Sequence, residues 1–323
     1  MTTYRVFVST DLGGDPDDIQ SLYRLIHYSD ILNVEGIGSC TGPGSTPKAD
    51  RIREWIRRVD VDHLRERGHT DLMTEADLLA CVKQGLTTPG RSEPERQTEA
   101  STSLIERAHA GSTQAPLWVL VWGSLTDVAQ ALHEDPRIAP KIRINSIGSS
   151  NTVNDPESRD YVYRFMARHY KDLWWIENGM MPKLSHDTFR GVYQGGDQSG
   201  EWDNIAFIHQ NIRGHGSTHN GLFSDLCGNV FPVAGWPNGT LKEGDSPTML
   251  HLLSPVLGGT GDVDDPTRES WGGQYRQPDP GQFPNYYTDL DADAETCQAT
   301  IARWRTAFLA HWKARWDRYE THL

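Results

Sequence analysis

Cysteine is scarce in this 323-residue chain: Cys40, Cys81, Cys227 and Cys297 lie far apart, without a Cys-x-x-Cys or Cys/His grouping. That spacing excludes the common zinc frameworks and leaves buried free thiols as the reading. Long apolar runs are missing too, and none approaches the roughly 20 residues that a membrane span needs. The first ten residues lack a basic flank followed by a long apolar region, so they read as a strand rather than a leader. The expected compartment is the cytoplasm. Positive charge is also in short supply, with 31 Lys and Arg against 44 Asp and Glu, a net charge of −13. A basic nucleic-acid surface is thereby excluded. The balance suits a small neutral or cationic ligand, or a site whose carboxylates hold a metal.

What is present is an alternation of strands and helices. Tyr4–Val8, Val34–Ser39, Leu117–Val121, Ile144–Ile147 and Leu173–Ile176 read as buried strands. Between and after them, Ile19–Tyr28, Pro47–Val59, Leu104–Ala110, Ser124–His133 and Arg159–Tyr170 read as helices, with Ser124 or Thr126 as a cap. This β-α repetition predicts an α/β fold, a mostly parallel sheet with helices on both faces. Residues 87–98 read as a surface loop. From about 179 to 290 the pattern gives way to Gly, Asp, His and Trp in irregular, site-building segments, interrupted by a short helix Thr248–Leu253, before a final helix over about 294–318. One domain spanning 1–323 is expected.

The informative stretch is Asp11-Leu-Gly-Gly-Asp15-Pro-Asp17-Asp18, directly after strand one and before helix one. Four carboxylates within eight residues oppose one another's ionisation unless something positive sits among them. The N-terminus of the following helix contributes only about half a charge. A divalent cation satisfies the rest, and hard oxygen ligands select Ca²⁺ or Mg²⁺ over softer metals. The plainer alternative is an acidic helix start, with one Asp as cap and Asp15-Pro16 as a turn.

This stretch resembles the nucleoside hydrolase signature Asp-x-Asp-Pro-Gly-x-Asp-Asp, and is nearer still to a nucleoside-hydrolase-like branch of undefined substrate. Two departures are visible: Ser9 replaces the family's first Asp, and the segment between Asp11 and the Asp pair is two residues longer. Further segments fit the likeness. Trp122-Gly-Ser-Leu-Thr-Asp127 is similar to the family's Thr-Gly-Pro-Leu-Thr-Asn, whose first residue gives a backbone carbonyl to the metal. Gly244-Asp245-Ser-Pro247 is similar to its His-Asp before Pro, with Gly244 at the His position. Asn151-Thr-Val-Asn154-Asp155 stands where the family binds ribose hydroxyls, although turn and cap chemistry also explains such residues. Pro43 stands where the family has a ribose-binding Asn.

The resemblance implies a glycosidase: metal-assisted hydrolysis of an N-glycosidic bond of a nucleoside or related sugar, in a calcium-binding homodimer or homotetramer. The charge balance and the short apolar runs lead to no nucleic-acid or membrane partner being expected. The resemblance makes Asp17 the catalytic base and Asp11, Asp18, Asp245 and the Trp122 carbonyl metal ligands, with Asp15 in reserve; calcium is expected ahead of magnesium. Asn151, Asn154 and Asp155 become sugar-binding candidates. His215 and His219, in a Gly-rich loop, are candidates to give an acid to the leaving group, and Trp271, in Ser-Trp-Gly-Gly-Gln-Tyr, to stack on a substrate ring; solvated histidines and an indole packed on the domain are the plainer readings. The losses at Pro43 and Gly244 keep open a hydrolase of non-nucleoside glycosides. A calcium-dependent sugar-binding protein without chemistry is the alternative from another class.

Overall fold

The computed structural model describes residues 4–13, 16–45, 48–90, 92–168, 170–179, 187–212 and 240–320. Eight strands form one sheet in the order β3-β2-β1-β4-β5-β6-β8-β7. They are β1 (Tyr4–Thr10), β2 (Leu32–Ser39), β3 (Val82–Lys83), β4 (Leu117–Val121), β5 (Ile142–Ile147), β6 (Trp174–Asn178), β7 (Tyr275–Arg276) and β8 (Tyr286–Asp289). All neighbours run parallel except β7 against β8. The chain winds outward from β1 to β3, then returns to the other side of β1 to continue from β4. The order therefore reverses between β1 and β4, and in open sheets ligands bind in the crevice that this reversal opens at the strands' carboxyl ends.

Both faces are covered, as a parallel sheet requires. Alternate residues of β1 and β4 enter different cores: Val6, Val8, Trp118, Leu120 and Trp122 pack on one face, and Phe7, Leu117, Val119 and Val121 on the other. The first core also takes Trp312 and Trp316 from the C-terminal helices. Cys40 and Cys297 are buried free thiols, and Cys81 is half-buried. No helix among the described residues is long and apolar enough to cross a membrane.

Three departures from the sequence expectation have local causes. The helix expected from Leu104 begins at Glu99, because Thr98 and Ser101 exchange side-chain and backbone hydrogen bonds in a capping box. The single C-terminal helix is two, Ala294–Ala302 and Arg305–Trp316. After the break Arg305 is fully buried and donates to the Val192 and Trp202 carbonyls at 2.9 and 2.8 Å. Finally, β7, β8 and the helix Asn204–Asn211 lie in the stretch expected to be irregular. Strands of two and four residues are too short to show a period.

Candidate active site

At the carboxyl end of β1 the chain turns sharply into the helix Pro16–His27. The Leu12 amide donates to Thr10 Oγ1 at 3.1 Å, while the Thr10 hydroxyl donates to Asp18. Asp17 and Asp18 form the acidic first turn of that helix. Asp11 lies beneath them, 5% exposed. Its space comes from two glycines on neighbouring strand ends. A Cβ on Gly42 would fall 1.5 Å from Asp11 Oδ2, and one on Gly123 would fall 2.9 Å from Asp11 Cβ. Backbone bonds lock these turns together, from Trp122 to Ser9 at 2.7 Å and from Ser124 to Thr41 at 2.8 Å.

Asp245 arrives from more than two hundred residues away, through a polar grip on one face of the same helix. Gln20 takes both the Thr240 carbonyl (3.0 Å) and the Lys242 amide (2.7 Å), and Ser21 Oγ meets Ser246 Oγ at 3.0 Å. Arg24 donates from Nε to Glu243 at 2.9 Å, with both side chains fully buried. Fixed this way, Asp245 does not act as a helix cap, since Ser246 takes the N-cap position of the helix Pro247–Val256. Its carboxylate joins those of Asp17 and Asp18, with one oxygen from each within 4.8 Å of the others. A Cβ on Gly244 would come 2.6 Å from Asp17 Oδ2, so this carboxylate fills the space beside the glycine.

Burial, then the carboxylates of Asp18 and Asp17, push the Asp11 carboxyl well above its usual range. Desolvation and like charge both disfavour ionisation here, and a divalent cation would reverse both effects. The oxygen-only donor set fits a hard cation. Asp11, Asp18 and Asp245 are buried, whereas Asp17 is half-exposed. These four line a cavity of about 240 Å³ together with Trp122 and Asn151.

The cavity gathers Asp11, Asp17, Asp18, Trp122, Asn151 and Asp245 from the expected set, and places others elsewhere. The Trp122 carbonyl accepts from Asn151 Nδ2 at 2.7 Å, and its indole donates to Thr248 Oγ1 at 2.9 Å. Asn154 lies outside the cavity, donating to Ser124 Oγ at 3.0 Å. Asp155 is also outside, accepting from Thr126 Oγ1 at 2.5 Å and from the Ser158 amide at 3.1 Å. The hydroxyls expected to cap a helix at Ser124 or Thr126 thus bridge two loops instead. Trp271 is buried in the core, its ring 6.3 Å from that of His311. Asp15, His215 and His219 lie outside the described residues.

The cavity is also lined by Phe189, Arg190, Tyr193 and Lys242, none of which the sequence singled out. Arg190 bonds Asp187 at 2.8 Å and donates to the Tyr193 hydroxyl at 2.9 Å. Burial pushes Tyr193 up to about 12, against the opposing pull of Arg190 and Lys242. Lys242 was discoverable from its place three residues before Asp245. Arg190 and Tyr193 carry no sequence signal, because an irregular segment brings them to the cavity.

A mostly parallel sheet with carboxylates at its switch point is an α/β architecture with a ligand crevice at the strand ends. The chain belongs to the family described as "Cellulose-binding Sde182, nucleoside hydrolase-like domain", whose model matches residues 5–275. Among solved structures it is similar to a nucleoside hydrolase-related hypothetical protein from Saccharophagus degradans associated with carbohydrate metabolism. The identity is 21% and the TM-score 0.70, over 98% of this chain and 72% of that one. It is also similar to an inosine-guanosine nucleoside hydrolase (13%, TM-score 0.55, 94% and 98% covered). The inosine-uridine preferring nucleoside hydrolase from Bacillus anthracis is similar as well (15%, TM-score 0.50, 94% and 99% covered). At these identities the likeness is one of fold. No curated protein matches the sequence.

Proposed function

We propose that this protein is a calcium-dependent hydrolase that cleaves the N-glycosidic, ribosyl bond of a nucleoside or nucleoside-like substrate. The observation that carries this reading is the meeting of Asp17, Asp18 and Asp245 above buried Asp11 at the sheet's switch point. Asp11, Asp18, Asp245 and the Trp122 carbonyl would hold the cation. When bound, it would supply Lewis-acid chemistry, neutralising the carboxylates and making water acidic enough to be deprotonated near neutral pH. Asp17, the half-exposed member of the cluster, takes the proton from the attacking water. Asn151 faces the cavity and holds the Trp122 carbonyl in place. Phe189 and Tyr193 line the same cavity.

A second reading, hydrolysis of a non-nucleoside glycoside at the same site, draws on Pro43. It lines the cavity and offers no side-chain hydrogen bond where related enzymes carry an Asn. Release of reducing sugar from a panel of nucleosides and simple glycosides, with calcium or with a chelator, separates the two. Asp17→Asn is expected to keep calcium-dependent stabilisation and lose about 10²–10⁴-fold in turnover. Asp11→Ala is expected to lose both. Equal loss of calcium binding in the two variants would overturn the assignment of roles.

A further inference from the structure

We infer that a second ligand site, for an anionic sugar, lies in a cleft on the outer face of the helix Pro156–Arg168. The cleft encloses about 510 Å³ and shares no lining residue with the aspartate cavity. Its volume falls within the roughly 300–1,000 Å³ of small-molecule sites. Glu157, Tyr161, Arg164, Phe165 and Arg168 recur at helical spacing along one side. Of the lining rings, Tyr161 and Phe165 stack with centroids 6.0 Å apart, and Phe165 stacks in turn on Tyr170, outside the cleft, at 5.1 Å.

Two observations turn this groove into a site. Arg164 and Arg168, one helical turn apart, have no carboxylate partner among the described residues, in a chain whose net charge is −13. Guanidinium pairs of this kind bind carboxylate or phosphate in a planar, directional way. Independently, Ser92, which also lines the cleft, is 5% exposed, and its buried hydroxyl has no hydrogen-bond partner. Its loop is pinned on both sides. Gln130 bonds the Glu93 carbonyl at 2.8 Å, and Ser158 donates to the Gly90 carbonyl at 3.3 Å. A ring with hydroxyls would lie along Tyr161, place its anionic group on the arginines and satisfy Ser92. Carboxylate and phosphate share this chemistry, so the test includes both.

Calorimetric titration of the full chain with glucuronate, glucose 6-phosphate, glucose and inorganic phosphate tests the site. One of the two anionic sugars is expected to bind at least about tenfold more tightly than glucose or phosphate, and Arg164→Ala/Arg168→Ala is expected to lose at least about tenfold. Ser92→Ala should weaken binding by less. Asp18→Asn, which disables the aspartate site, should leave this binding intact, so the two proposals fail separately. The inference is overturned if neither anionic sugar binds at low-millimolar concentration, if binding survives the double arginine variant, or if phosphate alone binds as tightly.

Discussion

The helix Pro16–His27 carries buried carboxylate chemistry at both ends and handles it in opposite ways. Near its C-terminus, Arg24 pairs with Glu243, and its guanidinium also lies 4.6 Å from the centre of the Trp312 ring. At its N-terminus, Asp17 and Asp18 meet Asp245 above Asp11, and like charge gathers at the strand ends. Glu243 and Asp245 are only two residues apart. Elsewhere the first pattern recurs, as Glu177 at the end of β6 receives Arg159 at 2.7 Å. Glu243 and Glu177 each come with their own guanidinium. The switch-point cluster instead brings three carboxylates within reach of one another, a group that could hold a metal ion.

The largest effect expected from this contrast is at Arg24. Replacing it by Met leaves Glu243 buried and uncompensated and also loosens the segment that carries Asp245. Breaking a buried pair from one side costs about 3–5 kcal/mol, which urea unfolding would read directly. Arg24→Met/Glu243→Gln should recover much of that loss. If the double variant is no more stable than the single one, the pair is not what anchors the 240–246 segment.

Asp127 is a buried carboxylate of a third kind, held by the Leu86 amide and the Thr98 hydroxyl, both at 3.0 Å. Burial outweighs these bonds and pushes its carboxyl up to about 6. Because the folded value lies above the unfolded one, the group costs nothing below about pH 4. Its penalty grows between about pH 4 and 6 and is complete above that, at about 3 kcal/mol. Asp127→Asn, which installs the residue of the related family motif, should remove this slope. The stability difference between the variant and the wild type, followed from pH 4 to 7, isolates the group; a constant difference would overturn the prediction.

Calcium should act on the cluster and leave the paired sites alone. At a free concentration one hundred times its dissociation constant, a cation that binds only the folded state stabilises it by about 2.7 kcal/mol. Thermal unfolding with calcium and with a chelator measures this. Asp18→Asn should abolish the response, whereas Arg159→Met should lower stability and retain it.

The sheet was legible because β1, β4 and their helices are long enough to show their periods, and the acid turn because its residues are contiguous. Asp245 was legible only through a family likeness. What delivers it, the Gln20, Ser21 and Arg24 face, is a set of polar residues at helical spacing that looks like a solvated surface until the structure buries it. Asn154 and Asp155 show the opposite ambiguity. Their residue types suit sugar hydroxyls and turns equally, and the structure engages both with Ser124 and Thr126. Arg190 and Tyr193 were invisible because no local pattern specifies which irregular segment folds back over a site.

The smallest expected effect addresses how Trp122 takes part. Its carbonyl already accepts from Asn151, and a carbonyl oxygen has a second lone pair that a cation could use. Asn151→Ala removes that amide, and one such buried bond contributes about 1 kcal/mol to stability. Groups that orient a metal ligand also tune affinity, so the variant should bind calcium about 10–100-fold more weakly if Trp122 is a ligand. A loss of stability with calcium affinity unchanged would remove Trp122 from the ligand set. The three buried aspartates would remain as the proposed ligands.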